Sequence, residues 1–268
     1  MIPNILAIAG SDPSGGAGAQ ADVKAISACG GYAMAAITAL TAQNTRGVTG
    51  AQLVAPDFAA AQIRAVRDDI RIDAVKIGML GSADIVAAVA EALAGLDAPI
   101  VLDPVMVAKG GDRLLATDAV AALREALLPM ADVITPNLPE AADLLGAAPA
   151  ADIAEMAAQA QALRALGARA VLMKGGHLGG ADSPDLLVHA GGVERLDGPR
   201  HATRNTHGTG CSLSSALACE LGHGRALPEA AARAKAWLSD AIAAAGDLGV
   251  GAGHGPVHHF HALWRNPR

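Results

Sequence analysis

The sequence predicts an α/β fold with a mostly parallel central sheet and helices on both of its faces. Short apolar runs alternate with Ala-rich amphipathic stretches along the chain, and this alternation is typical of a parallel sheet. The chain has 268 residues, of which 52% are hydrophobic and only 2% aromatic, so a large aliphatic core is available. No linker and no internal repeat interrupts the pattern, and we therefore expect a single domain over residues 1–268.

Eight short apolar runs predict the strands, and each run is followed by a glycine, a proline or a polar residue. Gly191 and Gly192 separate the last two runs, which is the sequence signature of a hairpin. The predicted strands are Asn4–Ala9, Tyr32–Leu40, Ala74–Ile77, Pro99–Asp103, Val133–Thr135, Ala170–Lys174, Leu186–Ala190 and Val193–Leu196.

Eight amphipathic, mostly Ala-rich stretches between these runs predict the helices. Pro56 stands at the start of one of them, where its missing N–H costs nothing, and Ser82 is suited to cap another. The predicted helices are Gln20–Cys29, Pro56–Asp69, Ser82–Leu93, Ala116–Leu127, Pro139–Leu145, Ile153–Leu166, Cys211–Leu221 and Pro228–Gly246.

Composition excludes several classes of partner. The net charge is −6 with no basic tract, and stacking aromatics are scarce, so we do not expect nucleic acid as a partner. Apolar stretches such as residues 83–96 are interrupted before the roughly 18 residues of a membrane helix are reached. Cys29, Cys211 and Cys219 are an odd number without metal-type spacing, and no secretory signal precedes the first strand. We therefore expect a reduced, cytoplasmic protein.

Four histidines lie close together near the C-terminus: His254, His258, His259 and His261. Such a group suggests a zinc site at first sight. Because no carboxylate or cysteine is spaced with them as a ligand, we expect them to be packing or surface residues instead.

The run Asn205–Ala216 is the most informative part of the sequence. It places two glycines, several hydroxyls and a thiol directly before an Ala/Leu-rich helix. Such a loop points backbone N–H groups and the positive end of a helix at one spot, which binds anions and phosphate above all. Cys211 stands where a helix start acidifies a thiol. The loop predicts phosphoryl transfer, and the simpler alternative is a Gly-rich helix start with a buried cysteine.

Polar residues follow several of the predicted strands, and ligands of open α/β sheets bind beyond the carboxyl ends of the strands. Asp103 and Lys174 end two strands, and Asn137 and Glu140 follow a third. The loop 10–22 is Gly-rich, although it fits neither a dinucleotide fingerprint nor a P-loop. Each of these residues also has a purely structural alternative, since Asp103 can cap a turn, Glu140 suits a first helical turn, and Lys174 can pair with Glu140.

The motifs taken together and in this order resemble the bacterial hydroxymethylpyrimidine/phosphomethylpyrimidine kinase family of thiamine biosynthesis, within the ribokinase-like superfamily. The resemblance runs from about residue 4 to residue 264. It implies a three-layer α/β/α ribokinase-like fold with a mostly parallel central sheet, and a homodimer. The motifs that carry it are Ala9–Gly18, Gln20–Asp22, Thr38–Thr45, Lys76–Leu80, Asp103–Met106, Thr135–Glu140, His207–Cys211 and Gly255–Phe260.

The resemblance implies two successive reactions with ATP. The first phosphorylates the hydroxymethyl group of 4-amino-5-hydroxymethyl-2-methylpyrimidine, and the second converts the monophosphate to the diphosphate. The implied pyrimidine-binding residues are Gln43, Asp22, Gly10, Met79 and Val105. The residues implied along the ATP phosphates are Asn137, Lys174 and Thr206, those at Mg²⁺ are Asp103 and Glu140, and those at the transferring phosphoryl are Gly208, Thr209, Gly210 and Cys211.

Physical chemistry supports part of this assignment. The Gln43 amide offers a donor and an acceptor together, which complements the edge of a 4-aminopyrimidine. Related sugar kinases carry an Asp as base where this chain has Cys211, so Cys211 is either a variant base or a residue of the anion hole. A second attack from an anionic phosphate oxygen hardly needs a base.

Three other functions compete with this one. A pyridoxine or pyridoxal kinase is the nearest alternative, because a 3-hydroxypyridine and an aminopyrimidine are similar in size. A cysteine hydrolase would use Cys211 with His207, although no third member is evident. A non-catalytic ligand sensor is disfavoured by the intact set of Asp103, Glu140 and Lys174.

Overall fold

A computed structural model, which describes residues 1–106 and 117–264, is built around one large sheet. In chain order the strands are β1 (Asn4–Ala9), β2 (Tyr32–Ile37), β3 (Ala39–Asn44), β4 (Gly47–Leu53), β5 (Ala74–Ile77), β6 (Ile100–Leu102), β7 (Val133–Ile134), β8 (Val171–Lys174), β9 (Asp185–His189) and β10 (Gly192–Leu196). Within the described residues, eight strands form the sheet in the order β10-β9-β8-β7-β6-β5-β1-β2. The strands from β8 to β2 run parallel, and β9 and β10 form the predicted antiparallel hairpin.

Helices fill the connections between these strands, as the sequence predicts. They are α1 (Gly18–Ala28), α2 (Pro56–Asp69), α3 (Ala83–Leu93), α4 (Thr117–Ala122), α5 (Leu138–Leu145), α6 (Ile153–Ala165), α7 (Thr209–Gly222) and α8 (Leu227–Ala243). A π-helical turn at Leu123–Leu127 and a 3₁₀ turn at Leu128–Met130 extend α4, and the predicted start of this helix at Ala116 lies outside the described residues. None of the described helices is long and apolar enough to cross a bilayer.

The core has two halves, one on each face of the sheet. Ile5 and Ala7 of β1 pack with α1, α7 and α8, whereas Leu6 and Ile8 pack with the helices α2 to α6. This division follows from the strand backbone, because successive side chains point to opposite faces. The three-layer α/β/α prediction is confirmed, and the aliphatic composition of the chain accounts for both halves of the core.

Local signals placed several helix ends correctly. The Ser82 hydroxyl accepts a hydrogen bond from the Ile85 N–H at 3.3 Å, so Ser82 is the predicted N-cap of α3. Pro56 occupies the first turn of α2, whose bounds are the predicted ones. Such agreement is expected where the chemistry of a helix end is local.

The prediction of one strand over Tyr32–Leu40 was wrong. The sheet strand ends at Ile37, and the chain leaves the sheet at Thr38. The buried Thr38 hydroxyl donates to the Met79 carbonyl oxygen at 2.7 Å, and the Thr38 N–H donates to the Ala9 carbonyl. These long-range bonds fix the turn, and nothing in the local sequence indicates them.

A second, two-stranded sheet follows the turn, and the sequence did not predict it. Strands β3 and β4 pair in antiparallel fashion, with a register shift between Ala42 and Gln43. Most of their side chains are exposed or half-exposed. The apolar alternation that reveals a half-buried strand is therefore missing from this hairpin.

The C-terminal histidines pack against α7 and α8. His258 and His259 are buried and His254 is exposed, which agrees with the expectation of packing or surface residues. The Ser212 hydroxyl and His259 Nε2 lie 3.0 Å apart, and the Trp237 ring lies beside His259. Burial, with smaller contributions from Lys24 and the neighbouring histidines, lowers the pKa of His259 to about 3. His259 is therefore neutral at physiological pH.

Neutral burial of His259 makes the folded state sensitive to acid. Between pH 6.5 and pH 3 the unfolded chain binds a proton at this position and the folded chain does not, so stability falls as the pH falls through this window. From pH 7 to pH 5 we expect this group to remove about 2 kcal/mol from the free energy of unfolding.

Urea unfolding at pH 7, 6 and 5 tests this expectation. His259→Gln keeps an acceptor without a titrating group, and its stability should decline less steeply than that of the wild type by this amount. The exposed His223 provides the control substitution, His223→Gln. Parallel pH profiles for the wild type and His259→Gln would contradict the assignment.

Candidate active site

A cavity of about 650 Å³ opens at the carboxyl ends of the parallel strands. The loop after β1, the start of α5, the end of β8 and the start of α7 form its walls. The residues predicted for the site all line this cavity, apart from Asp22. Three separate predictions, for an acceptor pocket, a carboxylate pair and an anion loop, therefore fall in one continuous space.

The centre of the cavity is a row of polar groups from three neighbouring strands. Asp103 follows β6, Thr135 follows β7 and Lys174 ends β8. Lys174 Nζ donates to Asp103 Oδ1 at 2.9 Å, and the Thr135 hydroxyl donates to the same oxygen at 3.1 Å. Burial would raise the pKa of Asp103, but Lys174 and Lys76 outweigh it and hold this pKa below its usual value. Asp103 is therefore an ionised carboxylate in the cavity.

Glu140 adds a second carboxylate at the start of α5. The Asn137 side chain accepts from the Glu140 N–H at 2.8 Å, and the Glu140 carboxylate accepts from the Asn137 N–H at 2.7 Å. This reciprocal capping box confirms the structural alternative for Glu140 without removing it from the cavity, which it also lines. Lys174 Nζ lies 3.6 Å from Glu140 Oε2, so one ammonium group faces two carboxylates.

The charge of Glu140 is only partly balanced. Burial raises the pKa of Glu140 to about 7, with Lys174 lowering it and the nearby Asp103 raising it. Asp103 is ionised and Glu140 is partly ionised near neutral pH, so together they carry more negative charge than the Lys174 ammonium alone neutralises. A hard cation bound by oxygen ligands would complete this balance.

The backbone of the anion loop, residues 206–211, comes close to this cluster. Gly208 adopts a left-handed conformation with φ of +76°, and a Cβ there would overlap the Gly16 carbonyl oxygen. A Cβ on Gly210 would lie 3.2 Å from Lys174 Nζ. The N–H groups of Gly210 and Cys211 belong to the first turn of α7 and have no acceptor within the helix. Both glycines thus let the backbone come close to the charged cluster.

The expectation that the helix start acidifies Cys211 was wrong. Burial raises the pKa of the Cys211 thiol to about 11, and the Asp22 and Asp103 carboxylates add to the effect, although Lys76 and the Gly18 N–H oppose it. Desolvation and two nearby carboxylates therefore outweigh the helix dipole. Cys211 is a neutral thiol at physiological pH.

Asp22 is the predicted site residue that the structure does not place in the cavity. Its side chain is fully buried, and Lys76 Nζ donates to both carboxylate oxygens, at 2.8 and 2.9 Å. The Ser215 hydroxyl also donates to Asp22 at 2.8 Å. The carboxylate is thus occupied by contacts inside the protein. Removing one charge of such a buried pair costs about 3–5 kcal/mol, which gives Asp22 a structural role.

Gln43 lines the same cavity from the hairpin of β3 and β4. It follows the register shift in β3, and such bulges re-aim side chains next to active sites. The Thr41 hydroxyl donates to the Ser11 carbonyl oxygen at 2.8 Å and lies 3.2 Å from Gln43 Oε1. Gly10, Met79 and Val105 line the adjoining wall. This part of the cavity therefore combines one amide with a mainly apolar surface.

Some residues that line the cavity were not predicted as site residues from the sequence. Lys76 interrupts a buried apolar strand, and this is the same signal that identified Lys174. Another part of the cavity lining carried no motif, because its residues come from separate loops and from α8. These residues are Arg200, His201, Lys235 and Ser239.

Comparison with known proteins accounts for this arrangement. A profile of the family described as phosphomethylpyrimidine kinase matches residues 12–258. The chain belongs to this family. The hydroxymethylpyrimidine/phosphomethylpyrimidine kinase of Salmonella typhimurium is 56% identical over 97% of this chain and 98% of its own length.

Solved structures agree with the fold. The pyridoxal kinase of Bacillus subtilis, in a complex with ADP, superposes with a TM-score of 0.91 at 35% identity over 99% of this chain and 100% of its own. The phosphomethylpyrimidine kinase of Clostridium difficile superposes with a TM-score of 0.79 at 39% identity, over 90% of this chain and 100% of its own. The ribokinase-like prediction is confirmed.

Family membership decides among the competing functions. This chain is a kinase, so the sensor and hydrolase alternatives are wrong. The neutral Cys211 thiol also disfavours a thiolate nucleophile, and His207 Nε2 lies 2.7 Å from the Asp12 carboxylate. The pyrimidine kinase is favoured over the pyridoxal kinase, because full-length relatives with that name reach 56% identity and the pyridoxal kinase structure 35%.

The raised pKa of Cys211 predicts slow alkylation. Because only the thiolate reacts, its modification by iodoacetamide should accelerate about tenfold per pH unit from pH 7 to pH 9.5. Peptide-resolved mass spectrometry would measure this rate. A short peptide with an ordinary cysteine serves as the control, and its rate should level off above about pH 8.5. A plateau for Cys211 below pH 9 would contradict the neutral thiol.

Proposed function

We propose that this kinase transfers the γ-phosphoryl group of ATP to the hydroxymethyl oxygen of 4-amino-5-hydroxymethyl-2-methylpyrimidine, and then a second phosphoryl group to the resulting monophosphate. The observation that carries the proposal is the shared cavity, which Gln43 lines together with the carboxylate–lysine cluster and the anion loop. One end suits a small heteroaromatic acceptor and the other a polyphosphate. The names of the full-length relatives support this substrate class.

Gln43 selects the acceptor in this proposal. Its amide donates one hydrogen bond and accepts another, which matches the exocyclic amine and a ring nitrogen of an aminopyrimidine. Gly10 allows Met79 to approach, since a Cβ on Gly10 would lie 2.5 Å from Met79 Cε. The Met79 and Val105 side chains then provide apolar contact for the flat ring.

The anion loop stabilises the transferred group. Phosphoryl transfer depends mainly on positioning and on neutralising charge at the non-bridging oxygens. The N–H groups of Gly208, Gly210 and Cys211 donate to these oxygens in the proposed complex. Lys174, Asn137 and Thr206 also line the cavity, and in the proposed complex they interact with the ATP phosphates.

Cys211 contributes as a residue of the anion hole. A thiol with a pKa of about 11 is already protonated, so it cannot accept the proton of the acceptor hydroxyl. In a loose transition state the hydroxyl is deprotonated late, and its proton leaves with the phosphoryl oxygens. In each step the acceptor oxygen forms a bond to γ-phosphorus, the bond to the β-phosphate oxygen breaks, and ADP leaves. The second acceptor oxygen is anionic and has no proton to lose.

Asp103 and Glu140 are the residues suited to hold Mg²⁺. Their carboxylates provide the hard oxygen ligands that this ion prefers, and their charge exceeds that of Lys174. Within the described residues no group of three or more His, Cys, Asp or Glu side chains forms a complete metal site. Partial protein ligation fits Mg²⁺, which usually retains waters and binds phosphates. When bound, Mg²⁺ would neutralise charge on the ATP phosphates.

The cavity lining and the free cysteines support two further proposals, on domain organisation and on location in the cell. The cavity is lined by residues from Ala9 to Ile242, so we propose that residues 1–268 act as a single catalytic domain. All three cysteines are free thiols, which fits a cytoplasmic enzyme that uses ATP.

Steady-state kinetics with both acceptors tests the function. The wild type should form both the monophosphate and the diphosphate from the hydroxymethylpyrimidine and ATP. Gln43→Ala should weaken pyrimidine binding by about 1–3 kcal/mol through the lost amide contacts, with the KM for ATP unchanged. Gln52→Ala, on the exposed side of the same hairpin, is the matched control.

Two results would contradict these assignments. An unchanged KM for the pyrimidine in Gln43→Ala would remove Gln43 from the acceptor pocket. A far higher kcat/KM for pyridoxine than for the hydroxymethylpyrimidine in the wild type would reverse the choice of substrate.

We propose further that the enzyme is a homodimer joined through the hairpin. Two strands alone are marginally stable, and pairing with a second copy would extend the sheet of β3 and β4. Leu40 is 54% exposed on this hairpin, so its apolar side chain is available to such an interface. Light scattering should give twice the mass of the chain for the wild type and for the control Leu166→Glu, and the mass of one chain for Leu40→Glu. An unchanged dimer in Leu40→Glu would contradict this interface.

A further inference from the structure

Two Gly-rich loops that are far apart in sequence meet at one side-chain contact. The substrate loop, residues 10–18, contains Asp12, and the anion loop, residues 206–211, contains His207. His207 Nε2 lies 2.7 Å from Asp12 Oδ2, and both side chains are buried. The family comparison and the proposed mechanism leave this pair without a role.

The Asp12 carboxylate organises its own loop as well. It accepts from the Ser14 N–H at 2.9 Å and from the Ala17 N–H at 2.8 Å. Burial would raise the pKa of Asp12, but the hydrogen bonds from His207 and Ser14 outweigh it and keep the group ionised. A charged acceptor makes the stronger bond with a ring N–H. One carboxylate therefore holds the substrate loop together and links it to His207.

The backbones of the two loops are in contact at the same place. Gly208 packs on the Gly16 carbonyl, and only a glycine fits its left-handed conformation there. A Cβ on Gly16 would in turn collide with the His207 ring. The contact is thus close enough to transmit the position of one loop to the other.

His207 does not need its side chain for its own attachment to the fold. Its N–H donates to the Gly255 carbonyl at 3.0 Å, and it forms a β-bridge with Pro256. The C-terminal segment therefore anchors the His207 backbone, and the imidazole is left to reach across to Asp12. The His207 backbone therefore attaches the residue to the fold, and its side chain joins the two loops.

Each loop holds one of the two reacting partners. From Asp12 a hydrogen-bonded path leads to the acceptor end, since the Asp12 N–H donates to Gln20, the Gln20 amide to the Ser11 hydroxyl, and Thr41 connects the Ser11 carbonyl with Gln43. From His207 the chain continues directly into Gly208–Cys211. The distance between acceptor oxygen and phosphorus thus depends on how these loops are joined.

We propose that Asp12 and His207 are positioning residues for phosphoryl transfer, whose hydrogen bond keeps the acceptor and the anion loop in register. This inference rests on the proposed function. Small displacements between reacting groups cost large factors in rate because effective molarity depends steeply on geometry. Weakening the pair should lower kcat more than it raises the KM for either substrate. It should also let water compete with the displaced acceptor.

Kinetics of His207→Ala and His207→Gln test the inference. For His207→Ala we expect kcat to fall by about tenfold or more, while the KM values for ATP and pyrimidine change by less than about threefold. The ratio of ADP formed to pyrimidine phosphate formed should rise above that of the wild type. A Gln amide can still donate to Asp12, so His207→Gln should recover most of the rate and of this ratio.

His189→Ala is the matched control, since it removes a histidine paired with Glu194 on the outer hairpin of β9 and β10. A folded His207→Ala with wild-type kcat and ADP ratio would overturn the inference. If His207→Ala does not fold, Asp12→Asn decides, because it removes the charged acceptor of the same hydrogen bond. A folded Asp12→Asn with wild-type kcat and a wild-type ADP ratio would equally overturn the inference. Lack of pyrimidine phosphorylation by the wild type would instead refute the proposed function.

Discussion

The site depends on one buried charge interaction, between the Lys174 ammonium and the Asp103 carboxylate. The two groups end strands β8 and β6, and Thr135 after the intervening β7 donates to the same carboxylate. Three parallel neighbours thus present their carboxyl ends as a short polar row. Ionised groups are expensive to bury unless they are paired and hydrogen-bonded, so the sheet order and the charges of the site stabilise each other.

The anion loop can approach this charged row because Gly208 and Gly210 have no side chains. At Gly210 the backbone stands next to Lys174, and at Gly208 it adopts a conformation that residues with a Cβ avoid. Donors held in place before the reaction stabilise developing charge without reorganisation. The same closeness explains the neutral Cys211, because desolvation and the Asp22 and Asp103 carboxylates raise the pKa of its thiol by more than the helix dipole lowers it.

The acceptor end of the cavity is built on exposed rather than buried elements. Gln43 is held on a small, exposed hairpin with a bulge, whereas the phosphoryl end is built on buried strands and on α7. Exposed connections tolerate change more easily than the core. The pyridoxal kinases that share this fold at 31–35% identity are consistent with chemistry that stays in place while the acceptor end varies.

The sequence by itself determined the alternating architecture, most helix ends and, apart from Asp22, a set of residues that line one cavity. Hydrophobic periodicity, helix capping and polar residues at strand ends are local features of the sequence. Examples are the helix starts at Ser82 and Pro56 and the charged residues at the ends of β6 and β8. Only the tertiary structure decided the turn at Thr38, the hairpin of β3 and β4, and the pairing of Asp22 with Lys76. These features arise from partners distant in the chain, and Asp22 and Lys76 are 54 residues apart. The protonation of Cys211 belongs to the same group, because desolvation is a property of the folded environment and has no signature in the order of the residues.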